Sequence, residues 1–167
     1  MTLARPALAC AAALTLMACA PSLNWRSVQL GGLRTLLPCK PDQAVRTVHL
    51  AGQDLPMEMS GCEADGALFA ISRLQANDAA QAPALLQALR QASLAQVQAS
   101  ALHPLPHSGD ATTSLDLLAD GKRPNGSPLQ VRFKWLQAGS SVYQIAAYAV
   151  QLQPAQTEPL LDQLQLQ

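Results

Sequence analysis

The stretch Leu129-Gln130-Val131-Arg132-Phe133-Lys134-Trp135 alternates apolar and polar residues without a break. Successive strand side chains point to opposite faces, so four apolar side chains share one face and three polar ones the other. This is the mark of an antiparallel sheet with one face on a core. A parallel sheet, buried on both faces, reads instead as a continuous apolar run. The flanks agree: Asp120 to Pro128 is a turn rich in Gly, Pro and Asn, and Ala138-Gly139-Ser140 turns the chain into Val142 to Leu152. That last segment is apolar on both faces and predicts a central strand. Trp135 and Tyr143 are expected to face each other across this hairpin.

The rest of the chain supplies partners for that sheet. Trp25 to Leu30 alternates up to Gly31-Gly32, and Leu33 to Leu37 forms a second strand, stopped by Pro38-Cys39-Lys40-Pro41. Arg46 to Leu50 and Leu55 to Met59 predict two more strands around a turn, with Leu55, Met57 and Met59 on one face. Pro56 favours a strand start or an edge. Gly61 to Gly66 reads as a turn unless Cys62 extends the strand before it, and Leu68 to Leu74 is the next strand. Asn77-Asp78 reads as a helix cap, Pro83 fits a first turn, and Leu85, Leu86, Leu89, Ser93 and Val97 fall on one stripe. Ala101 to Ala111 holds two prolines and a glycine and reads as a loop; Leu115 to Ala119 reads as a strand. Pro154 to Gln163 predicts a short terminal helix, after which Leu164 to Leu166 returns as a strand. The expected fold is α+β: an antiparallel sheet of about six or seven strands, with one long helix over about 79–100 and a short C-terminal helix packed on it.

The N-terminus carries a different signal. Arg5 is followed by an apolar or small run, Ala7 to Ala18, too short for a membrane span, which needs ~20 apolar residues. Leu16-Met17-Ala18-Cys19 closes it in the manner of a bacterial lipoprotein signal. The expected organisation is a leader over 1–18, a lipidated Cys19 with a short tether over 19–24, and one domain over 25–167. An ordinary signal peptide cut near Ala18-Cys19-Ala20 is the competing reading. Two or more acyl chains, palmitate among them, anchor stably where one does not. Ala20 is not the aspartate that marks inner-membrane retention in enteric bacteria. The periplasmic face of a Gram-negative outer membrane is therefore expected.

About half the residues are apolar, enough for a core, and eleven basic residues balance eleven acidic ones. No basic stripe points to nucleic acid. Cys10 falls in the leader and Cys19 is taken by the lipid, leaving Cys39 and Cys62. In an oxidising compartment they read first as a disulfide. Two buried free thiols, or a redox or metal pair, are the other readings, and the spacing is not C-x-x-C.

A resemblance runs along the whole mature chain. Leu33-Arg34-Thr35-Leu36-Leu37-Pro38-Cys39-Lys40-Pro41 resembles the F-x-V-x-x-P-x-K-P landmark of a family of uncharacterised bacterial exported proteins. Leu68 to Arg73 is similar to its Y-x-V-x-Y strand, and Arg132 to Tyr143 to its R-x-Y-x-x-G-x-x-x-Y hairpin. Leu160 to Leu166 is similar to its closing F-L-x-S-F-x-L. Leucine replaces most of the family's aromatics, and Cys39 stands where glycine is common. The resemblance implies a Mog1/PsbP-like α/β/α sandwich and supplies no catalytic residues.

Chemistry-bearing groups are sparse. His103 and His107, with His49 as a third ligand, invite a metal reading, but two solvated loop histidines are the simpler account. Met57 and Met59 share a face, and thioethers near Cys62 suit Cu(I); methionines on a buried strand face are more often core. His107, Ser108 and Asp110 are loop neighbours rather than a positioned triad. Glu58, Glu63 and Asp65 around a turn are explained by a solvated face. There is no G-x-S-x-G, Walker A or G-x-G-x-x-G sequence. The expectation is a non-enzymatic module without cofactor, held at the membrane by its N-terminal lipid, which binds or scaffolds an unknown envelope protein or ligand. The alternative is a small-ligand or metal-binding lipoprotein. A groove between helix and sheet would serve either.

Overall fold

The computed structural model describes residues 22–106 and 114–167. Strand β1 is Arg26–Leu30, β2 Leu33–Leu37, β3 Asp42–Leu50, β4 Gln53–Ala64 and β5 Ala67–Gln75. Helix α1 (Ala82–Gln96) follows, then β6 (Ala101–Pro104), β7 (Leu115–Lys122), β8 (Pro128–Ala138) and β9 (Ser141–Ala149). Helix α2 (Pro154–Asp162) and β10 (Gln165–Leu166) close the chain. Among the described residues the strands form two sheets. The larger has the order β3-β4-β5-β9-β8-β7-β6 and is antiparallel throughout. The smaller is β1-β2-β10. The expected α+β fold with a seven-stranded antiparallel sheet is present, and β9 lies at the sheet's centre as its two apolar faces require.

Each face of the large sheet has its own core. On one, Leu85 and Leu89 of α1 bury against Val131, Phe133, Trp135 and Val142. On the other, the small sheet and α2 bury Leu33, Leu37, Leu160 and Leu161 against Phe69, Ile71 and Ile145. Each fully buried side chain of this size contributes about 1.5–3 kcal/mol. The layers are therefore α1, the large sheet, and a third layer of small sheet plus α2. The Cys39–Cys62 disulfide joins the end of β2 to β4, with Cα atoms 6.0 Å apart.

Four expectations need correction. Trp135 and Tyr143 do not face each other: the β8–β9 register pairs Trp135 with Gln144 and Tyr143 with Leu136. Trp135 thus lies in the α1 core and Tyr143 in the α2 core. The segment Gly61–Ala64 continues β4, because Cys62 pairs with Phe69, and only Asp65-Gly66 turns the chain. Ala101–Pro104 is an edge strand on β7, not loop, since Pro104 needs no ladder donor at an edge. Helix α1 is shorter than 79–100. Asp78 accepts a hydrogen bond from the Gln81 amide, holding residues before Ala82 in a turn.

The far end of α1 stops on a Schellman motif. The Ala99 amide donates to Leu94 O and the Gln98 amide to Ala95 O, with Gln98 at φ 48°. Glycine usually takes that left-handed position; here glutamine does.

Candidate functional site

The polar stripe of β8 is largely covered: Lys134 is buried and Gln130 and Arg132 are half-buried. Arg132 forms a bidentate pair with Asp116 on β7, at 3.2 and 3.0 Å, and reaches Thr157 of α2 at 3.2 Å. Lys134 donates to Leu161 O at 3.0 Å, a carbonyl at the C-terminal end of α2 where a cation is favoured. Thr35 of β2 donates to Leu160 O, and Gln156 of α2 donates to Asp65 O at 2.9 Å. The Gly32 amide donates to the Tyr143 hydroxyl at 3.1 Å. Side-chain hydrogen bonds and the disulfide therefore fasten this third layer to the large sheet.

The opposite face is different. Helix α1 packs on β8 and β9 and touches β3, leaving β4 and β5 less covered between them and producing a groove of about 960 Å³. That lies within the range of small-molecule sites, roughly 300–1,000 Å³. The strand period of two builds its floor. Val48 and Leu50 of β3, Met57 and Met59 of β4, and Ala70 and Ser72 of β5 all project toward the helix side. Leu89 of α1 and Val97 just past its end form the roof, and Leu129 and Tyr148 close the far wall.

A polar network lies in that wall. The Gln144 side-chain oxygen accepts from Trp135 Nε1 at 2.8 Å and pairs with Ser93 of α1. Ser93 also donates to Leu89 O at 2.7 Å. Burial pushes the Tyr148 hydroxyl up to about 12, against a weaker opposing hydrogen bond with Gln144. Tyr148 therefore stays protonated at neutral pH. Its ring meets Phe133 edge-on, with centroids 5.8 Å apart.

The groove's end is set by one close approach. The Lys122 amide donates to Val97 O at 2.8 Å, drawing the C-terminus of α1 onto the β7–β8 turn. A Cβ on Gly121 would lie 2.2 Å from Val97 O, so only glycine permits that contact. Lys122 and Arg123 consequently stand at the groove's mouth, with Arg46 at its β3 side. Glu63 and Asp65 also border it, and Gln156 donates to the Asp65 carboxylate at 3.2 Å. A smaller cleft of about 330 Å³ flanks the other end of α1, between Pro83 and Trp135.

The residues singled out from the sequence fall as follows. Met57 packs against the α1 core and both Met57 and Met59 line the groove. Cys62 is in the disulfide, so no thiolate joins them. His103 lies on β6, five strands from β4, about 24 Å away at ~4.8 Å per strand. His49 on β3 is farther still, so His49, His103 and the two methionines form no shared metal site. His49 pairs with Asp54 at 2.8 Å and His103 with Asp120 at 3.0 Å. The His103 and Gln130 hydrogen bonds hold the Asp120 carboxyl below its usual range. Among the described residues, no three His, Cys, Asp or Glu side chains cluster as metal ligands. Glu58 does not join Glu63; it pairs with Arg73 at 3.1 Å. Cys19, His107, Ser108 and Asp110 lie outside the described residues. Sequence reasoning named the groove only in general terms and did not single out Tyr148, Lys122 or Arg123. The apolar period of β9, with Tyr148 on the Val142–Ala146 face, was the available signal for Tyr148.

No protein-family model matches the chain, and no curated protein matches it. Among solved structures it is similar to the extracellular domain of PknH from Mycobacterium tuberculosis, with 11% sequence identity and a TM-score of 0.40. That match covers 72% of this chain and 78% of the other. A likeness at that level carries no argument, and the functional reading rests on the groove.

Proposed function

We propose that this chain is a bacterial lipoprotein, held through Cys19 at the periplasmic face of the outer membrane, whose single domain binds an envelope component in the groove beneath α1. The observation that carries the binding reading is the groove itself: an open, apolar-floored volume of about 960 Å³ on the sheet face that α1 alone covers. Its charged lining sits at the rim, and its one titratable hydroxyl, that of half-buried Tyr148, stays neutral. That arrangement holds a ligand rather than transforming it, which supports a non-enzymatic module. The Cys39–Cys62 bridge suits an oxidising compartment. The leader pattern and the resemblance to exported bacterial proteins support the same location.

Two experiments test the two halves. Cys19→Ser should abolish fatty-acid labelling and release the protein from membranes; unchanged labelling refutes the anchor. Binding is tested with a neutral apolar fluorophore, N-phenyl-1-naphthylamine, added to the Cys19→Ser chain. Its emission should rise on wild-type groove residues and stay flat on Ala70→Trp, which fills the floor. Equal emission from both would place the site elsewhere.

A further inference from the structure

We propose that the groove's ligand is an anionic single-chain amphiphile, with its hydrocarbon chain across the sheet and its head at Lys122 and Arg123; this deepens the groove reading and rests on it. The lining runs from β3 through β4, β5 and β9 to β8. Four inter-strand steps span roughly 19 Å. One leaflet of a bilayer's ~30 Å hydrocarbon core is about 15 Å deep, so a membrane acyl chain fits this length. Met57 and Met59 suit such an occupant. Their unbranched, polarizable side chains conform to a flexible chain as a rigid β-branched floor would not.

The head is placed by charge. Among the described residues Arg73 and Arg132 are in ion pairs, while Lys122, Arg123 and Arg46 are in none. Lys122 and Arg123 are adjacent and fixed at the mouth by the Gly121–Val97 contact. Asp65, in the turn between β4 and β5, is engaged by Gln156. Glu63 is the one acid bordering the groove without such a partner, and it sits on the β4 side, away from the β7–β8 turn. Arg46 is at the opposite side of the groove, on the sheet's outermost strand.

Displacement of N-phenyl-1-naphthylamine from the Cys19→Ser chain tests the idea. Palmitate, palmitoyl-lysophosphatidylglycerol and hexadecanol are the competitors. Palmitate or the lysolipid should displace the probe, and whichever does so at lower concentration identifies a carboxylate or a phosphate head. Lys122→Glu/Arg123→Glu should weaken that displacement about tenfold or more and leave hexadecanol unchanged. Arg34→Glu, exposed on β2 of the small sheet and outside the groove, should leave all three competitors unchanged. Each variant is first shown to melt as wild type does, and Lys122→Gln/Arg123→Gln stands in for a charge reversal that does not fold. Probe binding with no displacement by either anion, or displacement indifferent to the Lys122/Arg123 changes, overturns the anionic head and spares the groove. No probe binding at all overturns both.

Discussion

At the residue scale, three positions carry conformational or electrostatic cost that substitution can expose. Gln98 holds φ 48° at the end of α1, a region that side chains with a Cβ occupy at a cost of about 1 kcal/mol. Gln98→Gly should therefore raise stability by up to ~1 kcal/mol, read as a higher urea midpoint at unchanged m-value. Gly121 is the reverse. A methyl there meets Val97 O, so Gly121→Ala should lose about 1–3 kcal/mol in the same assay. Tyr148 links stability to pH. Its folded pKa lies above the unfolded value of 10.0, at about 12, so its contribution is full below pH 10 and is lost as pH rises from 10 to 12. Two units correspond to roughly 2–3 kcal/mol. Tyr148→Phe should flatten that loss; an unchanged alkaline slope would mean the hydroxyl is solvated. Of these three, only the apolar period around Tyr148 was readable in the sequence. The left-handed Gln98 and the close approach at Gly121 depend on where a helix end lands against a strand distant in the chain.

At the element scale, strand periodicity was the legible quantity. β8 divides Leu129, Val131, Phe133 and Trp135 from its polar residues as its alternation predicts, β9 is buried on both faces as its apolar run predicts, and Leu85, Leu89 and Ser93 bury on the stripe that predicts α1. The polar side of β8 misled, because a period of two separates faces without saying what covers each. Arg132 and Lys134 read as solvent-facing, yet they bind α2. The same blindness to register set Trp135 against Tyr143. Arg132→Ala tests the element contact. It leaves Asp116, with a side chain only 3% exposed, without its guanidinium, and should cost about 3–5 kcal/mol in urea unfolding. A loss under 1 kcal/mol would show that α2 is held by its leucines alone.

At the scale of the whole molecule, the two faces of one sheet are treated differently. One is closed by a second sheet, a helix, a buried ion pair and a disulfide. The other carries a single helix over part of its width. The separate small sheet was not legible, since β1 and β2 alternate as any strands do, and β10 pairs with β2 across most of the chain. The disulfide was legible from cysteine arithmetic in an oxidising compartment. Its 23-residue separation gives about 3 kcal/mol of loop-closure stabilisation. Reduction should accordingly lower the melting temperature by several degrees and speed unfolding of the small sheet. A melting temperature indifferent to reductant would place the two sheets' attachment elsewhere.

The central claim is that the open face beneath α1 is where this protein binds. Amide and methyl NMR of the Cys19→Ser chain, titrated with N-phenyl-1-naphthylamine, tests it most directly. The account predicts saturable shifts at Met57, Met59, Leu89, Val97 and Tyr148, with Leu33, Leu37 and Leu160 unmoved. Shifts centred on the α2 face, or none at saturating probe, would contradict it.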